Sequence, residues 1–145
     1  MKFYVIKGDL FTSPETVALV HCISSDFAMG AGIAKIFTNK GVKDNLLKTY
    51  PRNNWHNHGY CLRAKMAERT VYNLVTKDKY WHKPTYDTLT QALTDLKDCC
   101  RQDNIKNIAM PAIGCGLDRL EWSNVENIIK KIFDDTDINI LVYML

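Results

Sequence analysis

The sequence predicts an α/β domain in which helices cover both faces of a central mixed β-sheet, a three-layer α/β/α sandwich. Segments of strand character lie near both ends of the chain, and two long segments with helical spacing lie between them. An apolar strand pattern at residues 107–112 is also followed by a loop with two glycines and then by a helical pattern. Alternation of strands and helices favours a layered sandwich of this kind.

Length and composition indicate an ordinary globular protein. With 145 residues, 46% of them hydrophobic, the chain can bury a sizeable core, and we expect residues 1–145 to form a single domain and a monomer. No stretch approaches the roughly 18 apolar residues of a membrane span. The first residues alternate too strongly for a signal peptide. We therefore expect a cytoplasmic or nuclear protein without a membrane partner.

The charge of the chain gives only a weak indication of its partners. A net charge of +3 is compatible with an anionic ligand, but nucleic-acid modules usually show a clustered basic stripe. The nearest feature is a basic cluster interleaved with polar residues, which we interpret as solvated surface: Lys35, Lys40, Lys43, Lys48 and Arg52. Nucleic acid therefore stays an open possibility without specific support.

The cysteines and histidines do not indicate a metal site. Five cysteines without a Cys-x-x-Cys pair favour neither a disulfide framework nor zinc, and they fit a reducing compartment. His56 and His58 stand close together in the sequence but lack a third ligand, so we interpret them as surface residues. We expect neither a metal nor a cofactor.

The first half of the chain predicts two strands and two helices. Residues 2–7 alternate as a strand does, and residues 18–23 form the continuous apolar run of a strand buried on both faces. Small residues at 29–32 lead into the first helix. A second helix is predicted over residues 42–50, because the residue before Pro51 avoids the helical region.

The second half predicts a strand pair at residues 59–66 and 70–76, two helices and two further strands. A long helix begins after Thr85, which is a suitable cap, with Asp87 in its first turn. Its predicted core face consists of Leu89, Ala92, Leu93, Leu96 and Cys100. The core stripe of the last helix consists of Trp122, Val125, Ile128, Ile129, Ile132 and Phe133. The remaining strands are predicted at residues 107–112 and 138–145.

Two glycine loops are candidates for binding phosphate. Gly114 and Gly116 follow a predicted strand, and a glycine loop before a helix lets backbone N–H groups face an anion. Gly30 and Gly32 repeat this arrangement, so the two loops could hold a diphosphate if they face one cleft; alternatively, Gly30 and Gly32 only allow tight helix packing. Ligands of such sheets bind beyond the carboxyl ends of the strands, where we also expect the loop with Lys83.

Several motifs in register resemble the macrodomain superfamily, and within it the terminal ADP-ribose protein glycohydrolase branch. The resemblance runs from about residue 2 to residue 145, and its motifs lie at residues 8–11, 21–24, 29–34, 83–86 and 110–120. It implies ADP-ribose as the ligand. One departure concerns the wider superfamily: the asparagine-rich motif of its commonest hydrolases is absent at residues 21–24, so their asparagine-and-water mechanism is not expected.

The resemblance also implies a set of site residues. Positions that match ligand-binding residues are Asp9 and Leu10 at adenine, Ser24, Gly30, Ala31, Gly32 and Ile33 on the first phosphate side, Ala112, Ile113, Gly114, Cys115, Gly116 and Leu117 around the diphosphate and distal ribose, and Leu145 beside the adenosine. Lys83 matches the nucleophile of the branch, and Asp118 matches its acidic partner. Without the resemblance, Lys83 would be interpreted as a surface lysine and Asp118 as an acid near a helix N-terminus.

The implied substrate is an ester between a glutamate or aspartate side chain and C1″ of the distal ribose. A neutral Lys83 amine would attack C1″ and form a ribosyl-lysine intermediate, with Asp118 as general base or acid. Because a free lysine is almost fully protonated at pH 7, the site must favour the neutral amine by desolvation or nearby cations. Trp81 is a candidate for apolar cover, and His82 and Lys79 are candidate cations.

Other functions stay open at this stage. The partners implied are ADP-ribose and mono-ADP-ribosylated proteins, with deacylation of O-acyl-ADP-ribose as an additional reaction. The alternatives are a reader that binds ADP-ribose without turnover, a hydrolase acting on ADP-ribosylated nucleic acid, and a nucleotide phosphatase. Cys115, flanked by glycines near a helix start, is a rival nucleophile for which no histidine partner is evident.

Overall fold

Six strands form one mixed sheet in the computed structural model, which describes residues 1–51 and 57–145. The strands are β1 (Lys2–Lys7), β2 (Ala18–Ser24), β3 (Tyr60–Lys65), β4 (Thr70–Lys77), β5 (Asn107–Met110) and β6 (Asn139–Met144). The helices are α1 (Gly32–Asn39), α2 (Val42–Thr49), α3 (Tyr86–Gln102) and α4 (Trp122–Phe133). Arg52 and His56, named above, lie outside the described residues.

The order of the strands brings five carboxyl ends to one edge of the sheet. The order is β1-β6-β5-β2-β4-β3, and every neighbouring pair is parallel except β3 and β4. The antiparallel pair confirms the predicted strand pair around residues 67–69. The loops that follow β1, β2, β4 and β5, and the end of β6, therefore meet on one side of the molecule.

Two apolar clusters, one on each face of the sheet, confirm the three-layer α/β/α sandwich. One cluster joins α3 and α4 to the sheet, and all predicted core residues of α3 belong to it. The other contains Phe37 of α1, Val42 and Leu46 of α2, and Leu10. In α4, Val125 and Phe133 are buried, as is Ile129, whereas the rest of the predicted stripe is partly buried. Within the described residues, no helix has both the length and the apolar character that crossing a bilayer requires.

Local hydrogen bonds fix the beginning of α3 beside the cleft. The Thr85 hydroxyl accepts a hydrogen bond from the Thr88 amide at 3.1 Å, and the Thr88 hydroxyl accepts one from the Thr85 amide at 3.0 Å. This reciprocal capping box confirms the predicted cap. In addition, the Tyr86 hydroxyl accepts a hydrogen bond from the Glu121 amide at 3.0 Å. The segment after Lys83 is thus tied to the segment that precedes α4.

His21 is a fully buried titratable group in the middle of the sheet. Its Nε2 lies 2.6 Å from Asn73 Oδ1, and because the Asn73 amide donates to two backbone carbonyls, Nε2 is assigned as the donor. The ring stacks on Phe37 with centroids 4.0 Å apart. Burial lowers the pKa of His21 to about 4, against a smaller opposite effect of the bond to Asn73. The folded state therefore holds His21 neutral.

The lowered pKa of His21 predicts a loss of stability in acid. Below pH 6.5 the unfolded chain binds a proton at this position that the folded chain does not, so the free energy of unfolding falls as the pH decreases toward 4. The lowering of the His21 pKa corresponds to a loss of about 3 kcal/mol in the free energy of unfolding between neutral pH and pH 4. Urea unfolding of the wild type and of His21→Gln across this range measures the difference, with the exposed His82→Gln as control. Equal pH slopes in wild type and His21→Gln would contradict the assignment.

Candidate active site

A cleft of about 1330 Å³ lies at the carboxyl ends of the parallel strands. Its walls are the loops after β1, β2, β4 and β5 together with the end of β6. The structure brings together around this cleft all of the predicted ligand-binding residues and the two predicted catalytic residues, Lys83 and Asp118. Their roles toward a ligand stay predictions.

Asp26 joins the loop after β2 to the loop after β4. Its Oδ1 accepts hydrogen bonds from the Ser24 hydroxyl at 2.5 Å and from the Ala28 amide at 3.1 Å. Its Oδ2 accepts one from the Tyr80 amide at 3.0 Å. The predicted phosphate-side residue Ser24 is therefore also a support of the loop. Asp26 was not among the predicted site residues, although its place directly after a buried strand was an available signal.

The first glycine loop is anchored by buried side chains, and its backbone faces the cleft. Phe27 and Met29 adopt positive φ angles of 54° and 48°, and both side chains are buried in the second core cluster. Gly32, at φ 57°, then opens α1. Ala31 occupies the N-cap position without a capping side chain, so the first N–H groups of α1 are available to an anion.

The two glycines of the second loop differ in their surroundings: protein atoms restrict a side chain at Gly114 but not at Gly116. Gly114 is at φ 75°, and a Cβ on it would lie 3.0 Å from Leu120 Cδ1, so this position is constrained by the protein itself. A Cβ on Gly116 would meet no atom within 4 Å. The absence of a side chain at Gly116 therefore serves no packing purpose in the described residues, and it leaves the cleft open.

Asp118 forms an ion pair with Lys77, not with Lys83. Lys77 Nζ lies 2.7 Å from Asp118 Oδ1, and both side chains are only 15% exposed. Lys83 Nζ instead donates a hydrogen bond to the Leu117 carbonyl at 2.8 Å, and Lys83 is exposed. The two lysine amines therefore contact adjacent residues, Leu117 and Asp118, in the loop after β5. Lys77, the last residue of β4, was missed because the predicted strand ended one residue earlier.

The expected apolar cover of Lys83 by Trp81 is wrong for this structure. Trp81 is 62% exposed, and its ring contacts those of Tyr80 and His82 at centroid distances of 5.1 and 5.4 Å. The reason is the turn before α3, in which the His82 amide donates to the Lys79 carbonyl. Tyr80 lines the cleft whereas Trp81 does not, and the hydrogen-bond partner of Lys83 comes from the loop that follows β5.

The remaining candidate groups have little support. Burial, followed by the charge of Glu121, raises the pKa of Cys115, which is the opposite of what a thiolate nucleophile requires. His58 Nδ1 lies 2.8 Å from Asp78 Oδ1, so this ring nitrogen contacts a carboxylate. In residues 1–51 and 57–145, no three histidine, cysteine or acidic side chains are arranged to hold a metal ion.

Asp118 stands four residues before Trp122, outside the first turn of α4, so the dipole of that helix does not explain the presence of an acid at this position.

Comparison with known proteins defines the class. Residues 20–129 match the family model of the Macro domain, and the chain belongs to the macrodomain family. The resemblance inferred from the motifs is thereby confirmed. The chain is 46% identical over 142 residues to the ADP-ribose glycohydrolase OARD1 of Bos taurus, a match that covers 97% of this chain and 90% of the relative. The protein of the same name from Homo sapiens is 44% identical with the same coverage.

Solved structures agree with the family at the level of the fold. The macrodomain of Thermus aquaticus DarG superposes with a TM-score of 0.87 at 22% identity, covering 99% of this chain and 98% of that chain. Thermosipho africanus DarTG in complex with ADP-ribose gives a TM-score of 0.81 at 21% identity, covering 99% of this chain and 42% of that chain. These similarities confirm the macrodomain fold.

Proposed function

We propose that this protein is a hydrolase that removes mono-ADP-ribose from glutamate and aspartate side chains of proteins. The observation that carries the proposal is the pair of functional groups at the mouth of one cleft, the Lys83 amine and the Asp118 carboxylate, beside two glycine loops. Relatives with 44% and 46% identity over nearly the whole chain are named ADP-ribose glycohydrolases, which supports the same activity here.

The ligand is proposed to lie along the carboxyl edge of the sheet. Asp9, Leu10 and Leu145 surround one end of the cleft, which suits the adenosine part. The diphosphate then lies between the loops at 30–33 and 112–117, where the uncapped N-terminus of α1 offers N–H donors. This arrangement directs the distal ribose toward the Lys83 and Asp118 side chains.

Lys83 suits the nucleophile better than Lys77 does. The Lys77 amine is held in an ion pair with a carboxylate and is only 15% exposed, whereas the Lys83 amine bonds to a neutral carbonyl and its residue is exposed. In the first step, Lys83 Nζ bonds to C1″ while the bond from C1″ to the ester oxygen breaks, and the side-chain carboxylate leaves with the electron pair. Asp118 takes the proton from the new C–N centre. In the second step, Asp118 returns its proton to Nζ as the C1″–N bond breaks. The Asp118 carboxylate then takes a proton from the water that bonds to C1″, free ADP-ribose leaves, and Asp118 gives that proton up to solvent.

Two alternatives share this cleft. A reader would bind ADP-ribose without turnover, and it would need neither Lys83 nor Asp118. Removal of ADP-ribose from nucleic acid is favoured by one observation: Tyr80 and Trp81, each 62% exposed, precede Lys83, and exposed aromatic rings stack on bases. Deacylation of O-acyl-ADP-ribose would use the same groups.

We also propose that the protein is a monomeric single domain in the cytoplasm or nucleus. Its five cysteines form no disulfide, which is in keeping with a reducing compartment.

The test is a comparison of substrates. The purified protein is incubated with a protein mono-ADP-ribosylated on glutamate, and with a single-stranded DNA ADP-ribosylated on a base, while free ADP-ribose is followed by mass spectrometry. Release from the glutamate ester is the expected result. Tight ADP-ribose binding in calorimetry with no release from either substrate would identify a reader, and release from DNA alone would favour the second candidate.

A bulky side chain at Gly116 is expected to block the cleft. Because a Cβ there meets no protein atom within 4 Å, Gly116→Leu should fold normally while its side chain occupies the space proposed for the diphosphate. We expect the affinity for ADP-ribose to fall about ten-fold or more, equivalent to at least roughly 1.4 kcal/mol. Calorimetric titration measures it. Glu68→Leu, which adds the same exposed side chain in the β3–β4 turn, is the control, and unchanged affinity of Gly116→Leu would show that this loop does not hold the ligand.

A further inference from the structure

We propose that Lys77 is a positioning residue for the reaction: it holds the Asp118 carboxylate in place and prevents that carboxylate from pairing with Lys83. The inference rests on the proposed function and adds a residue to it. Lys77 was not among the residues expected from the sequence motifs. Its assignment comes from the geometry at the end of β4.

The ion pair is a fixed part of the cleft. Lys77 ends β4, and its carbonyl accepts a hydrogen bond from the Ser25 amide at 2.9 Å, so its backbone is held by the neighbouring loop. Its Nζ lies 2.7 Å from Asp118 Oδ1, with both side chains 15% exposed. A carboxylate with so little access to water needs a cation or hydrogen-bond donors to stay ionised. Lys77 provides that cation.

The position of Lys83 gives the Lys77–Asp118 ion pair a second role. Lys83 Nζ bonds to the carbonyl of Leu117, the residue directly before Asp118. If Lys77 were absent, Lys83 would be the nearby cation for this carboxylate, and pairing would stabilise its ammonium form, which is not nucleophilic. With Lys77 in place, Asp118 already has a cationic partner, and Lys83 bonds to a neutral carbonyl instead.

The other titratable groups around the pair do not compete with it. Cys22 lies beneath it on β2, and Cys115 lies on the loop after β5. Burial, followed by the charge of Asp118, raises the pKa of Cys22, whereas Lys77 acts in the opposite direction. Burial also raises the pKa of Cys115. Both thiols are therefore neutral near pH 7. Among the described residues that line the cleft, Arg119 is a further charged neighbour of Asp118, and the ion pair of Asp118 is with Lys77.

The test compares Lys77→Met, which keeps an unbranched side chain of similar length without the charge, with Lys77→Arg, which keeps the charge. We expect Lys77→Met to lower kcat about 10- to 100-fold, less than the roughly 10²–10⁴ that a general acid or base itself contributes. The loss should fall on kcat and leave KM within about two-fold, because the variant misplaces a reacting carboxylate without removing a contact to the ligand. Lys77→Arg should recover most of the wild-type kcat, and ADP-ribose affinity should be retained in both variants.

A double variant separates positioning from an independent or purely structural role. If Lys77 acts through Asp118, then Lys77→Met combined with Asp118→Asn should be no slower than Asp118→Asn alone. Additive losses, or a loss of kcat in Lys77→Met that Lys77→Arg does not recover, would overturn the inference while wild-type turnover still supports the proposed function. Absence of turnover by the wild type would overturn the proposed function, and the role of Lys77 with it.

Discussion

Replacement of Lys83 with alanine is expected to abolish the release of ADP-ribose while leaving ADP-ribose binding within about two-fold of the wild type. The variant removes the amine that is proposed to attack C1″, and loss of a nucleophile should reduce kcat by about a thousand-fold or more. Binding should survive because Lys83 is exposed and its Nζ contacts only a loop carbonyl among the described residues. Turnover is measured by mass spectrometry of free ADP-ribose, and binding by calorimetry.

Two further variants make this result specific to the amine. Lys83→Arg keeps a positive charge but cannot supply a neutral nucleophile, so it is also expected to be inactive. Lys131→Ala removes an exposed lysine from α4, outside the cleft, and should retain full activity. Wild-type rates in Lys83→Ala would exclude the nucleophilic role of Lys83 and leave the enzyme without its proposed mechanism.

Replacement of Asp118 with alanine is expected to slow turnover by about 10²–10⁴-fold and to trap the intermediate. Without its carboxylate the enzyme lacks the base that activates water in the second step, so ADP-ribose should accumulate on the protein. Intact-mass spectra of the variant after incubation with substrate should therefore show the mass of one added ADP-ribosyl group. Asp118→Asn, which keeps a neutral hydrogen-bond acceptor for Lys77, separates the loss of the base and its charge from the loss of the contact with Lys77.

Two other results for Asp118→Ala would change the role assigned to this residue. A variant that neither slows turnover nor carries an adduct would mean that Asp118 only neutralises Lys77 in a partly buried position. A slowed variant without an adduct would indicate that Asp118 acts in the first step, when the amine loses its proton.

The layered fold could be predicted because its elements have strong local patterns. The helical spacing of apolar residues in α3 and α4 and the continuous apolar run of β2 follow directly from burial, and the structure confirms them. The 3₁₀ turn at Leu10–Thr12 was not predicted, because it depends on one side-chain contact, between the Asp9 carboxylate and the Phe11 amide. The strand order was not predicted either, since it depends on contacts between distant segments.

The candidate site could be located from the sequence but not described in detail. Its loops were expected at one edge because they follow strands of a parallel arrangement, and the motifs indicated Lys83 and Asp118. The pairing of Asp118 with Lys77 joins residues 41 positions apart, so no local pattern contains it. The exposure of Trp81 likewise depends on how one turn directs its side chains.

The most direct test of the central claim is to find the covalent bond. Asp118→Ala is incubated with a protein mono-ADP-ribosylated on glutamate, digested, and mapped by tandem mass spectrometry. The mechanism predicts an ADP-ribosyl group on the peptide that contains Lys83, and none on that peptide when Lys83→Ala is added. An adduct on Lys77 or Cys115 in place of Lys83 would contradict the assignment of the nucleophile.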